Sequence, residues 1–284
     1  MIQKLRQAML EQELDMLIVV STDEHLNEYP PAQNWRLEAS TSSGSSPGFS
    51  GSAGTAVFCL EGRSQLFVDS RYHIQAEQTS GENFEIQKLG NEGVLNPLEW
   101  IASLSEKALT VGADPYVMSQ KEWRGYENAV VKSGHSFKPT TPNLVDSVWV
   151  NRPNPPRNKI YPLVLKYTGK TSASKLADVR NIMNESAMGK DRKADVLLLT
   201  MLDEIAWLTN LRGSDIDYNP VFEAYAAIFQ DRALCFCHHP ESDLNEYCPD
   251  WEFRPYAEYP EFLEKITQDE NVKAWLDPST ITMG

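Results

Sequence analysis

Apolar residues fall into two patterns along this chain, and each half uses them in the same order. Ile2, Leu5, Met9 and Leu10 recur at helical spacing, and the apolar run Met16-Leu17-Ile18-Val19-Val20 that follows predicts a buried strand. In the second half Leu176, Val179, Ile182 and Met183 repeat the helix, and Val196-Leu197-Leu198-Leu199 repeats the strand. An Asp-Glu pair follows each strand, Asp23-Glu24 and Asp203-Glu204. Each half then carries two short β-rich segments. Thr55-Ala56-Val57-Phe58 and Gln65-Leu66-Phe67-Val68-Asp69 form the first pair; Tyr225-Ala226-Ala227-Ile228-Phe229 and Ala233-Leu234-Cys235-Phe236 form the second. This ordered similarity points to a duplicated α/β unit.

Between the halves, Asn151-Arg152-Pro153-Asn154-Pro155-Pro156-Arg157 crowds prolines too closely for a helix interior or a central strand, so it reads as an extended linker. It divides the chain into expected domains 1–152 and 153–284. Asn96-Pro97 is a cap and first turn for a helix over Leu98–Leu109. Val111-Gly112-Ala113 is a short strand, and Ser119 with Glu122 makes a capping box for a helix that stops at Gly134. Such alternation predicts an α/β fold, in each half a mixed sheet flanked by helices. The polar stretch from Thr41 to Gly48 is expected to be a mobile surface loop. Val272 to Asp277 reads as a last strand.

Composition narrows the classes of partner. Hydrophobic residues make up 41% of the 284 positions and charged residues 23%, as in an ordinary globular protein. Forty acidic against 26 basic side chains give a net charge of −14, which repels nucleic acid and anionic membrane surfaces. No apolar run approaches the roughly 18–20 residues of a membrane span. Met1 to Leu5 does not open a secretory signal, so the cytoplasm is the expected location. Cys59, Cys235, Cys237 and Cys248 are too few for a disulfide framework. Cys235 and Cys237 with His238 and His239 invite a zinc reading. A strand over Ala233–Cys237 instead makes both thiols small core or surface residues on one face.

Candidate chemistry is sparse. Gly48-Phe49-Ser50-Gly51-Ser52-Ala53-Gly54 is neither a phosphate loop nor a dinucleotide fingerprint, and Gly51 and Gly54 read as aids to a tight turn into the next strand. Asp69-Ser70-Arg71-Tyr72 follows a strand, where α/β folds commonly present ligand-facing side chains. Arg71 could hold a carboxylate or peptide carbonyl, or it could simply pair with Asp69 at the surface. In Leu202–Asp215, Ile205, Leu208 and Leu211 keep helical spacing with Gly213 placed to end the helix. Asp203, Glu204 and Asp215 there are either metal carboxylates or, more simply, helix-capping groups and partners for Arg212. No serine stands in a nucleophile elbow, and His25, His73, His135, His238 and His239 are scattered.

Taken in order, these segments resemble the long, three-domain Xaa-Pro aminopeptidases (aminopeptidase P) of the creatinase-like metallopeptidases. The resemblance runs through Lys4–Met9, Asp23–Tyr29, Gly48–Ala56, Asp69–Tyr72 and Asn143–Asp146 with Trp149, Arg152 and Pro153. It is most specific from Leu202 to Asp215 and on through Asn219-Pro220-Val221-Phe222. It implies two consecutive related creatinase-N-terminal-like domains, the non-catalytic front of an enzyme that removes the residue preceding a penultimate proline. These domains would restrict access to the active site, assist substrate binding and support a homodimer. Two manganese ions would sit on Asp, Asp, His, Glu and Glu of a third domain beyond Gly284, with none bound here. The implied partners are proline-containing peptides. Of the family's site residues only Arg71 carries over, as a substrate contact, with Ser70 standing where the family usually has Gly. The Ser-rich stretch resembles an insertion after Arg36. The alternative is a non-enzymatic peptide- or protein-binding module of the same fold, as in a histone chaperone.

Overall fold

The computed structural model describes residues 1–284 except 45, 82, 185–192 and 241–243. The chain divides into two compact units, Met1–Pro155 with Thr282–Gly284, and Pro156–Ile281.

In the first unit, α1 (Ile2–Glu11) leads into β1 (Met16–Val20), as the apolar spacing predicts. A short helix, α2 (Arg36–Thr41), precedes the hairpin of β2 (Gly54–Cys59) and β3 (Ser64–Val68). Then come α3 (His73–Thr79), β4 (Phe84–Lys88), α4 (Pro97–Ser103), β5 (Thr110–Ala113), α5 (Gln120–Lys132), β6 (Ser136–Pro139) and α6 (Leu144–Val148). The six strands lie in the order β4-β3-β2-β1-β5-β6. The β1–β2 and β2–β3 pairs are antiparallel, whereas β3–β4, β1–β5 and β5–β6 are parallel. Both sheet faces are buried, and the two-residue alternation of a strand sorts β1 between them. Leu17 and Val19 join Leu5, Met9, Phe58 and Val145, while Met16 and Ile18 join Phe67, Ile101, Val111 and Trp123.

In the second unit, β7 (Tyr161–Pro162) and α7 (Leu165–Thr168) precede α8 (Ser172–Asn184), β8 (Val196–Leu199), α9 (Leu202–Thr209) and β9 (Leu211–Arg212). The hairpin of β10 (Ala224–Phe229) and β11 (Ala233–Cys237) is followed by α10 (Leu244–Tyr247), β12 (Glu252–Pro255), α11 (Tyr259–Thr267) and β13 (Ala274–Trp275). The main sheet runs β12-β11-β10-β8-β13. Its pairings are antiparallel for β8–β10 and β10–β11 and parallel for β11–β12 and β8–β13. Strand for strand this is the order of the first sheet without its sixth strand. The duplication read from the sequence is therefore a duplication of hydrogen-bond topology.

Three local expectations change. The Leu98–Leu109 helix stops at Ser103 because Leu104 turns extended and Leu109 is recruited to the core, its N–H donating to His135 Nδ1 at 3.2 Å. Helix α9 is ended by Asn210, in the left-handed conformation at φ 60°, and not by Gly213. Thr41, expected to open a mobile loop, is the buried last residue of α2. Its hydroxyl donates to Leu37 O and accepts from Phe49 N. The residues after it are tied to α3, because Ser46 Oγ and Gly48 N both donate to Thr79 O. Ser45 lies outside the described residues. Arg36, where the insertion was expected to begin, opens this helix.

Arg36 is 3% exposed. Its Nη2 donates to Glu24 Oε1 at 2.6 Å, and Nε and Nη2 fork onto Asp146 at 2.8 and 3.0 Å. Arg152 meets the same Asp146 at 2.8 Å and also donates to Gln33 O and Asn34 Oδ1. Burial works to raise the Glu24 carboxyl, but the charge and hydrogen bond of Arg36 outweigh it and hold Glu24 below the ordinary 4.5.

Removing one partner of a buried ion pair strands the others, so Arg36→Met should cost about 3–5 kcal/mol by urea unfolding. The Glu24 contribution has a defined sign. Its folded pKa lies below the unfolded one, so the contribution is complete above about pH 4.5 and fades as pH falls through the lower folded value. A pH series of melting temperatures in wild type and Glu24→Gln should converge toward the acid end. The exposed linker from 153 to 159 has no regular structure, so limited trypsin should cut first at Arg157 or Lys159. A first cut inside 195–229 would show that the two units are wrongly divided.

Candidate functional site

Antiparallel pairing places the C-terminal ends of β1 and β3 beside the start of β2, with Val20 opposite Thr55 and Val68 opposite Gly54. The parallel β5 ends at that same edge. The loops from 21 to 28, 48 to 53 and 69 to 72 therefore emerge together, at the sheet end where α/β folds present ligand contacts.

Each loop is fixed internally. Buried Asp23 accepts from the N–H groups of His25 and Asn27 and from Asn27 Nδ2, which bends the chain toward Glu28. In the second loop, Gly51 lies against the rings of Phe49 and Tyr72; a Cβ there would come within 2.3 Å of Phe49 Cζ and 2.9 Å of Tyr72 Cδ1. Those rings meet edge to face at 5.7 Å. Gly51 and Gly54 thus serve close approach, since a Cβ on Gly54 would also strike the Phe49 ring. Ser52 Oγ lies 2.8 Å from Tyr72 Oη and 3.1 Å from Glu28 Oε1, joining all three loops.

Arg71 stands in the third loop with its side chain 57% exposed. Its Nε lies 3.1 and 3.2 Å from the two Asp69 oxygens and its Nη2 2.7 Å from Oδ2, while its own N–H also reaches Oδ1. The guanidinium hydrogen bonds hold the Asp69 carboxyl below the ordinary aspartate range. The expected surface pair therefore exists, yet it uses only one edge of the guanidinium. Nη1 stays 4.0 Å from Glu28 Oε1, beyond hydrogen-bond length. The Nη1 edge of the exposed guanidinium is hydrogen-bonded to neither of the two carboxylates that border it. Asp69 and Glu28 escaped the sequence reading as site residues; the strand-end position of Asp69-Ser70-Arg71-Tyr72 was the available signal for the first, and nothing local marked the second.

The second-unit candidates do other work. Asp203 Oδ1 accepts from Glu204 N at the start of α9, and buried Asp215 accepts from the N–H groups of Asn158 and Glu223. Arg212 does not pair with them; its Nη1 donates to the carbonyls of Ala206 and Leu211. Cys235, Cys237 and Cys248 lie in the core beside Leu176 and Ile205. The hydrogen bond with Cys237 and burial push the Cys235 thiol well up, and burial puts Cys248 at about 11, so the Cys235 and Cys248 thiols stay protonated at neutral pH.

The profile of the Creatinase/Prolidase N-terminal domain matches residues 1–148, and a second profile of the same description matches 151–284. A probable Xaa-Pro aminopeptidase P of Neosartorya fischeri is 40% identical over 231 residues, covering 81% of this chain and 33% of its own. One of Sordaria macrospora is 37% identical over 260 residues, covering 89% and 40%. The chain thus spans about a third to two-fifths of the length of these curated relatives. Among solved structures, the X-prolyl aminopeptidase of Caenorhabditis elegans, described as a cytosolic enzyme with a di-nuclear active site, superposes with a TM-score of 0.86. It is 24% identical over 99% of this chain and 46% of that one, a likeness of fold.

Two substitutions test this geometry. Gly51→Ala drives a methyl into Phe49 and Tyr72 and should destabilise by roughly 1–3 kcal/mol in urea unfolding. Asp69→Asn, at an exposed pair, should leave the melting temperature nearly unchanged.

Proposed function

The chain belongs to the Creatinase/Prolidase N-terminal domain family, and from that premise we propose that it forms the two front domains of a cytosolic, metal-dependent Xaa-Pro aminopeptidase. The whole protein releases the N-terminal residue of peptides with proline second. The fungal relatives named for this activity support that reading, as does the fold shared with the nematode enzyme. Two manganese ions would supply water activation. No group of three or more His, Cys, Asp or Glu among the described residues could hold a metal ion, so no step of that chemistry is assigned to these domains. Among the described residues no helix is long and apolar enough to cross a membrane.

The front domains take part in holding the peptide, and the observation behind this is the half-used guanidinium of Arg71. Asp69 sets its orientation, and the remaining N–H groups face outward beside Glu28. One cation between two carboxylates leaves the locality net negative. A peptide carbonyl is therefore accepted more readily than a second anion, and the expected ligand is a backbone carbonyl rather than a terminal carboxylate.

Such a contact persists from ground to transition state, so its loss acts mainly on KM. In the protein that carries these domains with its metal centre, Arg71→Ala should lower kcat/KM about 10- to 150-fold, largely through KM. Arg71→Lys should recover part of it. Glu28→Gln should improve an Xaa-Pro dipeptide relative to its amide, because a neutral side chain no longer repels the free carboxylate. Unchanged kinetics in Arg71→Ala would remove the substrate role of this loop.

A further inference from the structure

Tyr218 is a bulky, exposed residue in an unusual backbone conformation. It has φ 62°, in the left-handed region where bulky side chains are rare. Glu13, Asn151 and Asn210 also have positive φ outside the Arg71 loops, and asparagine is the residue type that tolerates this conformation. A tyrosine does not, and strain of this kind persists only where the surroundings enforce it.

The surroundings here do enforce it. Ile216 and Asn219 form a bridge closed by Asn219 N donating to Ile216 O at 3.2 Å, with Val221 N donating to Asn219 O at 2.8 Å. Asp215 N donates to Val221 O, and the Asp215 carboxylate clamps the base of the loop through Asn158 N and Glu223 N. Ile216, Val221 and Phe222 are buried pegs at 3%, 3% and 1% exposure. Gly213 lets the two arms close, since a Cβ there would lie 2.6 Å from Phe222 Cβ. On this rigid mount Tyr218 is 107% exposed, as open as in an extended peptide. Folding gains nothing from burying its ring, and glycine or asparagine would relieve the backbone. The ring is thus held out against the interest of stability.

We propose that Tyr218 is a peptide-binding residue whose ring face packs against the prolyl ring of proline-containing peptides. This rests on the function proposed above. The chemistry favours it: a prolyl ring is a stiff, apolar plate already restricted in conformation, and a preset aromatic face receives it with little further ordering. The neighbouring Asp217 is exposed and supplies negative charge beside the ring for the peptide's ammonium group.

The experiment titrates the isotopically labelled chain with Arg-Pro-Pro amide and Arg-Ala-Ala amide by NMR. It compares wild type with Tyr218→Asn, Tyr218→Gly, Tyr218→Phe and Arg71→Ala, alongside their melting temperatures. The asparagine and glycine variants should melt higher and bind the proline peptide about 3- to 10-fold more weakly. The phenylalanine variant should keep wild-type affinity, and the alanine peptide should not sense the ring. Unchanged affinity in the asparagine and glycine variants, with Arg71→Ala weakened, overturns the role of Tyr218 and leaves the proposed function standing. A wild-type chain that no proline peptide perturbs overturns the role of Tyr218 and the peptide-holding role of the front domains, and leaves their place in a longer aminopeptidase standing.

Discussion

Arg36 is buried in the first unit with two carboxylates that come from opposite ends of its sequence, Glu24 after β1 and Asp146 in α6. A buried guanidinium without such partners would cost several kcal/mol, so the three residues must arrive together or not at all. Their meeting fixes the loop after β1, the start of α2 and the close of the domain in one step. Arg152 extends the constraint by binding the same carboxylate and the carbonyl of Gln33. The candidate site inherits its rigidity from this arrangement, because the loop that Glu24 anchors is the one that delivers Glu28.

The repeated strand order of the two units shows how one topology serves different ends. In each, an antiparallel hairpin stands against a central strand whose other neighbour runs parallel to it. The first unit adds a sixth strand and gathers three loops around Arg71. The second presents a strained turn between Ile216 and Asn219. Polar groups there are spent on the fold itself, as with Lys175, whose ammonium reaches Trp207 O and Asn210 Oδ1 at the end of α9.

Chemically, the Arg71 site resembles an orienting contact more than a reactive one. Its polar groups are a cation, two carboxylates, a serine and a tyrosine, with the serine hydroxyl already committed to Glu28 and Tyr72. Nothing among them activates a nucleophile. A guanidinium aimed by one carboxylate can hold a carbonyl without taking part in bond breaking.

Short-range pattern determined much of this protein. The unbroken apolar run of Met16 to Val20 marked β1 as buried on both faces, the Ser119 and Asn96 caps set helix starts, and the repeat of helix, strand and hairpin announced the duplication. The Asp69–Arg71 surface pair was legible as well, because opposite charges two residues apart just past a strand are a local signal. Other features depended on contacts far apart in sequence. Leu109 left its expected helix for a core that residues from four strands and two helices complete. Thr41 became buried because Phe49 and Leu37 use its hydroxyl, which no run of serines reveals. Glu28 joined the site only when Asp23 bent its loop and Ser52 came across from another. Periodicity is a property of neighbours along the chain, so sequence can state it. The pairing of Arg36 with Asp146, 110 residues on, and the open edge of Arg71 are properties of neighbours in space, and only the folded chain decides them.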